Sequence, residues 1–163
     1  MKKQIATMIY SISLSISSLA TAGDSNKNEI AYPDGFREWN HVKTMLILPE
    51  HPLAKTDQGI HHIYANDSAL EGLKNGYYKK GAVFVYDLLE YNEKNHAIVE
   101  GNRKLVGVMI KNSDLYSDTG GWGFEGFLEN SRSKRLVTDE GKSCFSCHKP
   151  LKDNDYVFSQ LRE

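Results

Sequence analysis

The residues best placed to do chemistry lie near the C-terminus, in the run Ser143-Cys144-Phe145-Ser146-Cys147-His148-Lys149. Cys144, Cys147 and His148 form Cys-x-x-Cys-His, the attachment pattern of a c-type haem. Two thiols at this spacing can each add to one of the two vinyl groups of a single haem, forming two thioethers. The adjacent imidazole then lies beneath the iron as its proximal ligand. Cys144, Cys147 and His148 are therefore the expected cofactor-binding residues, and His148 the expected metal ligand.

Two other readings of the pair compete with this one. A thioredoxin-like redox pair would open a helix after a buried strand, whereas here a charged, polar run from Arg132 to Lys142 precedes it. A structural zinc site would need two further ligands at suitable spacing, and no second cluster stands out. Cys144 and Cys147 are the only cysteines in the chain, so no disulfide competes for them.

The N-terminus bears on the compartment. Lys2 and Lys3, a serine-interrupted apolar run from Ile5 to Leu19, and Ala20-Thr21-Ala22 read as a secretory signal peptide over 1–22. The run is too short and too often broken by serine to span a bilayer of about 30 Å comfortably, so no membrane span is expected after cleavage. Export together with covalent haem points to the periplasm of a Gram-negative bacterium. Residues 23–31 form a polar leader, and 32–163 has the length of one domain. The net charge of -1 becomes about -3 once the two N-terminal lysines are set aside, a balance that argues against nucleic acid as a partner.

The elements that must position the motif read as follows. Apolar residues from Phe36 through Trp39, Val42, Leu46 and Ile47 recur at helical spacing before Pro49, which predicts a short amphipathic helix. Ile60 to Ala65 predicts a strand, in which His61 and His62 point to opposite faces and only one can reach a pocket. Asn66-Asp67-Ser68 caps a short helix from Ala69 to Leu73. Ala82 to Tyr91 is a strong strand with Ala82, Phe84 and Tyr86 on one face and Val83, Val85 and Asp87 on the other. Asn92 to Asn95 reads as a turn. Two further strands, Ala97–Glu100 and Arg103–Lys111, suggest a hairpin around Gly101-Asn102. The glycines of Thr119 to Phe127, set between aromatics, predict a bent strand whose backbone approaches something flat and bulky. The fold class is α+β: mostly antiparallel sheet with a few short helices, and the haem motif near the C-terminus.

This set of motifs resembles the cytochrome P460 family over nearly the whole chain after residue 32. The stretches that carry the resemblance are Phe36-Arg37-Glu38-Trp39, His62-Ile63-Tyr64-Ala65-Asn66, Gly81-Ala82-Val83-Phe84-Val85 and Val108-Met109-Ile110-Lys111-Asn112-Ser113. Gly120-Gly121-Trp122-Gly123-Phe124, the Cys144–Lys149 run and Asp155-Tyr156-Val157-Phe158 complete it. The resemblance implies an antiparallel sheet body, a homodimer, and one haem c held through Cys144 and Cys147. It also implies an open distal iron position, since no methionine follows Cys147.

Family enzymes oxidise hydroxylamine, and the related cytochromes c-prime-beta bind small gases such as nitric oxide. In the hydroxylamine-oxidising members a lysine forms a further bond to the haem edge. Here Tyr86 occupies the matching position, so Phe84 and Tyr86 are expected to contact the haem without a third covalent link. Two functions remain open. One is oxidation of hydroxylamine or a similar small nitrogen compound, with Glu125 or His61 as catalytic base and a periplasmic partner receiving electrons. The other is non-enzymatic nitric oxide binding or electron transfer. A remote variant of the second uses His61, His62 or a methionine as sixth ligand.

Overall fold

The computed structural model describes residues 29–162. The expected signal peptide and most of the polar leader lie outside the described residues. The fold is a single five-stranded antiparallel sheet in which every strand pairs with its neighbours in sequence. The strands are β1 (Asn40–Ile47), β2 (Gly59–Ala65), β3 (Val83–Lys94), β4 (Ala97–Lys111) and β5 (Trp122–Leu128). Among the described residues three short α-helices accompany them: α1 (Ala54–Asp57), α2 (Asp67–Asn75) and α3 (Lys142–His148). This is the α+β arrangement expected, mostly sheet with a few short helices.

The period-two pleat gives the sheet two distinct faces. One carries Tyr64, Val85, Val106, Val108 and Phe127, covered by Ile30, Phe36 and the half-buried Tyr32 and Trp39. Ile30 belongs to the expected polar leader, yet it is buried in this cluster. The opposite face carries Ala65, Phe84, Met109, Trp122 and Phe124, covered by α2, Tyr78 and the C-terminal segment through Cys144, Phe145, Tyr156 and Val157. That second face is where the Cys-x-x-Cys-His helix docks.

Three expectations need correction. The helix predicted from Phe36 to Ile47 is a single 3-10 turn at Phe36–Glu38 followed by strand β1. The ladder to β2 shifts register between His41 and Lys43, so one extra residue interrupts the alternation. That interruption gives the apolar positions a spacing that imitates a helix. The hairpin predicted around Gly101-Asn102 is instead an uninterrupted β4. β3 runs through most of the turn expected at Asn92 to Asn95, and the chain reverses at Asn95-His96, between the paired residues Lys94 and Ala97. Both turn residues have positive φ, 52° and 62°, as a two-residue turn matched to strand twist requires. Gly101-Asn102 forms a bulge opposite Glu90, where a Cβ on Gly101 would lie 2.9 Å from the Glu90 Cβ.

Other features follow the sequence reading. Asn66 caps α2 by accepting from the Ala69 N–H at 2.9 Å. The same side-chain oxygen accepts from the Val83 N–H at 3.0 Å, which ties the start of β3 to the helix. In the glycine-rich segment the flat objects are two tyrosines of the chain itself. A Cβ on Gly120 would fall 2.4 Å from the Tyr156 ring, and one on Gly123 would fall 2.4 Å from the Tyr116 ring.

Asp87 is fully buried on the Val85 face. Arg103 holds it by two hydrogen bonds, from Nε at 2.6 Å and Nη2 at 3.0 Å, and Arg37 approaches to 3.6 Å. Removing one partner of such a pair strands the other charge, at a cost of about 3–5 kcal/mol. Asp87→Ala should therefore lower the unfolding free energy by about that amount in urea denaturation. A change below about 1 kcal/mol would show that Arg103 finds solvent or another acceptor and that the pair does not organise this face.

Candidate functional site

Helix α3 begins where the chain is capped from outside. Asp139 accepts from the Gly141 N–H at 3.1 Å and from the Ser143 N–H at 2.8 Å. Gly141 itself adopts φ 80°, and a Cβ there would press on Phe124 at 3.0 Å. Once the helix is running, positions 144, 147 and 148 fall at i, i+3 and i+4, so both thiols and the imidazole share one face. All three line a single cavity of about 430 Å3 between α3 and the sheet.

His148 is held on three sides. Its ring lies 5.0 Å from the Phe124 ring and 4.9 Å from the Phe158 ring, measured between centroids. Its Nδ1 sits 2.7 Å from the Tyr156 carbonyl oxygen. A carbonyl can only accept, so Nδ1 carries the hydrogen and Nε2 keeps its lone pair. Burial lowers the His148 pKa, with the Tyr156 carbonyl pulling the other way, so the neutral form is favoured. A neutral imidazole with its far nitrogen bonded to a carbonyl is the arrangement of a metal-ligating histidine.

Burial pushes the Cys144 thiol above its ordinary range, opposed by a hydrogen bond with Ser143. A redox-active cysteine is favoured by the reverse shift, toward thiolate, so burial of Cys144 does not support the thioredoxin-like reading. Among the described residues no group of three or more His, Cys, Asp or Glu could hold a metal ion, which leaves the zinc reading without a ligand set. The residues present fit a haem: two thiols, a preset imidazole and an apolar wall on one cavity.

The sheet wall of the cavity includes Phe84 and Tyr86 from β3, as the alternation predicts, with His61 and Ile63 from β2 and Lys43 and Met45 from β1. Gly107 stands opposite Tyr86 on β4 and leaves its neighbourhood clear. Of the two adjacent histidines, His61 is the one that reaches the cavity. Its ring lies over Tyr86, 4.5 Å between centroids. His62 turns to the other face, with Nδ1 2.7 Å from the Thr44 hydroxyl and Nε2 2.7 Å from a Glu100 oxygen. Tyr86 donates a long, weak hydrogen bond to Asp57 Oδ1 at 3.4 Å. Burial, reinforced by Asp57, raises the Tyr86 pKa, so its phenol stays protonated.

Glu125 borders the cavity but is occupied elsewhere. Its Oε2 pairs with Arg135 Nη1 at 2.7 Å, and its Oε1 accepts from the Gly126 and Val137 N–H groups at 2.8 and 3.2 Å. Sequence reasoning missed Lys43, Asp57, Phe124, Phe158 and the Tyr156 carbonyl as members of the site. Phe124 and Phe158 stood in the quoted motifs, but nothing in their spacing assigns them to the two sides of an imidazole.

His61 is 3 % exposed and its pKa is lowered from 6.5 to about 4. Burial is the main cause, Lys43 adds to it, Asp57 opposes it, and His62 adds a little. Between these two values the unfolded chain holds a proton that the folded chain lacks. Stability therefore falls as pH drops from about 6.5 to about 4, by up to about 3 kcal/mol. His61→Phe should flatten the pH dependence of unfolding over that window. Parallel curves for wild type and variant would show that His61 titrates normally in the folded protein.

The family model described as Cytochrome P460 matches residues 33–159, most of the chain. A search of curated proteins found no match. The matched span holds every strand, the cavity and the Cys-x-x-Cys-His helix, and the chain belongs to the cytochrome P460 family, whose cofactor is haem.

Proposed function

We propose that this chain is a periplasmic mono-haem c-type protein that binds nitric oxide or a similar small nitrogen ligand at an iron held by His148. One observation carries the reading. Cys144, Cys147 and a histidine with its Nδ1 already tied to a carbonyl line one largely apolar cavity. Cys144 and Cys147 would hold the haem by adding across its two vinyl groups, sulfur to one carbon and hydrogen to the other, so that nothing leaves. When bound, the haem would supply a redox-active, ligand-binding iron.

The chain's own residues limit what happens there. Phe84 supplies an apolar surface, and Tyr86 supplies a protonated phenol able to donate a hydrogen bond but lacking an amine. Two thioethers, from Cys144 and Cys147, are the covalent attachment proposed, with no third link from β3. Glu125, engaged by Arg135 and two backbone N–H groups, is not proposed as a free base. This favours ligand binding over oxidation. Hydroxylamine oxidation is kept as a second reading because His61 and Asp57 both border the cavity and can accept a proton.

Export to the periplasm rests on the signal-like residues 1–22. No helix among the described residues is long and apolar enough to cross a membrane. A homodimer and a periplasmic electron partner belong to the same proposal on the strength of the family.

Mass spectrometry of protein isolated from periplasm should show loss of 1–22 and gain of one haem. Haem-peptide mapping should recover a single peptide, the one containing Cys144 and Cys147. A mature mass with two free thiols, under conditions that mature other c-type cytochromes, would contradict the attachment. A third peptide from β3 would contradict the role given to Tyr86. The reduced protein should also take up nitric oxide or carbon monoxide with a clear change in absorption and oxidise hydroxylamine weakly or not at all. An unchanged six-coordinate spectrum would instead point to His61, Met45 or Met109 as sixth ligand, since all three line the cavity.

A further inference from the structure

The carbonyl that fixes His148 lies on an unusual piece of backbone. After α3 the chain makes a 3-10 turn, Lys149–Asn154, and then reverses through Asp155 and Tyr156. Both adopt positive φ, 46° and 65°. Aspartate tolerates that region, but for a bulky residue such as tyrosine it is a true outlier. A strained residue of this kind persists only where the surroundings over-determine it. The strain has a visible result: it turns the Tyr156 carbonyl back onto His148 Nδ1 at 2.7 Å.

Two neighbouring strands grip this turn through one residue. Lys111, at the end of β4, is cross-strand partner to Trp122, at the start of β5. Lys111 Nζ donates to Asp155 Oδ1 at 2.7 Å and to the Gly120 carbonyl at 3.2 Å. Trp122 Nε1 donates to the Asp155 carbonyl at 2.8 Å. Lys111 Nζ also lies 4.9 Å from the Trp122 ring centre, within cation–π range. Trp122 is fully buried and Lys111 is 8 % exposed. A lysine this deeply buried needs a partner, and its shortest contact is with the residue that starts the strained reversal. Gly120 completes the arrangement, since any Cβ there would collide with the Tyr156 ring.

We infer that Lys111, Asp155 and Trp122 form a clasp that holds the Tyr156 carbonyl against His148 and so sets the tautomer and electron donation of the proximal ligand. They are positioning residues: none is required to touch the haem. The inference rests on His148 being the iron ligand. An acceptor on the far nitrogen raises the basicity of a ligating imidazole, and its loss weakens ligation about 10–100-fold in metal sites.

The test uses the haem-loaded full chain and two readouts, the iron–histidine stretching frequency of the reduced protein and the midpoint potential. Lys111→Met removes the donor but keeps the apolar stem. Asp155→Ala removes the acceptor and disfavours positive φ. Both should lower the stretching frequency and raise the potential. If the ferric bond weakens about tenfold relative to the ferrous one, the rise is about 59 mV.

Asp155→Asn should stay close to wild type, because asparagine tolerates positive φ and still offers Lys111 an oxygen. Trp122→Phe, which keeps the ring packing and removes one N–H, should move both readouts the same way but less. It also keeps the test alive if a Lys111 or Asp155 variant does not fold. Haem-loaded variants with wild-type frequency and potential would overturn the clasp, as would an Asp155→Asn variant that behaves like Asp155→Ala. A haem-loaded His148→Ala variant whose spectrum and midpoint potential match wild type would overturn the role of His148 itself, and this inference with it.

Discussion

An imidazole can offer either nitrogen to a metal, and in this protein a backbone carbonyl makes the choice. The Tyr156 oxygen accepts from His148 Nδ1, which commits Nε2 to the lone pair. Everything around that bond serves its geometry. Phe124 and Phe158 fix the ring plane. The capped start of α3 fixes where His148 leaves the helix. The positive φ values of Asp155 and Tyr156 fix where the carbonyl arrives. Neither Gly141 nor Gly120 could carry a side chain without striking Phe124 or Tyr156.

The sheet separates two problems by its pleat. One face is a packed apolar layer stabilised by the buried Asp87–Arg103 pair. The other is interrupted by a cavity where burial acts on titratable groups. There burial keeps Tyr86 protonated, His61 neutral and Cys144 a thiol. The shifts share one main cause, removal of water, and one consequence: these three groups stay uncharged beside the apolar wall. Such an environment suits a flat, largely apolar cofactor and a small neutral ligand better than an ionic substrate.

Much of the site was legible in the sequence because its chemistry is local. Cys144, Cys147 and His148 follow from spacing alone, and the cavity-facing side of β3 follows from alternation. The choice between His61 and His62 was legible only as an alternative, since period two says that one faces inward but not which. What could not be read depends on contacts between distant parts of the chain. β1 imitates a helix because its register shift against β2 disturbs the alternation. The turn expected at Asn92 to Asn95 falls later, at Asn95-His96, because β3 stays paired with β4 through Lys94. Glu125 looked like an available base until Arg135, ten positions later, came back to pair with it. Asp155 and Tyr156 give no sign of positive φ, because the groups that enforce it come from β4 and β5.

The central claim is that His148 holds iron through Nε2 while Tyr156 holds its Nδ1. An iron-edge anomalous difference map from crystals of the periplasmic protein tests it most directly. The account predicts one iron per chain, bonded to His148 Nε2 inside the cavity between α3 and β3, with the Tyr156 carbonyl still on Nδ1. Iron bonded to any other side chain, or to His148 through Nδ1 with the carbonyl displaced, would contradict it.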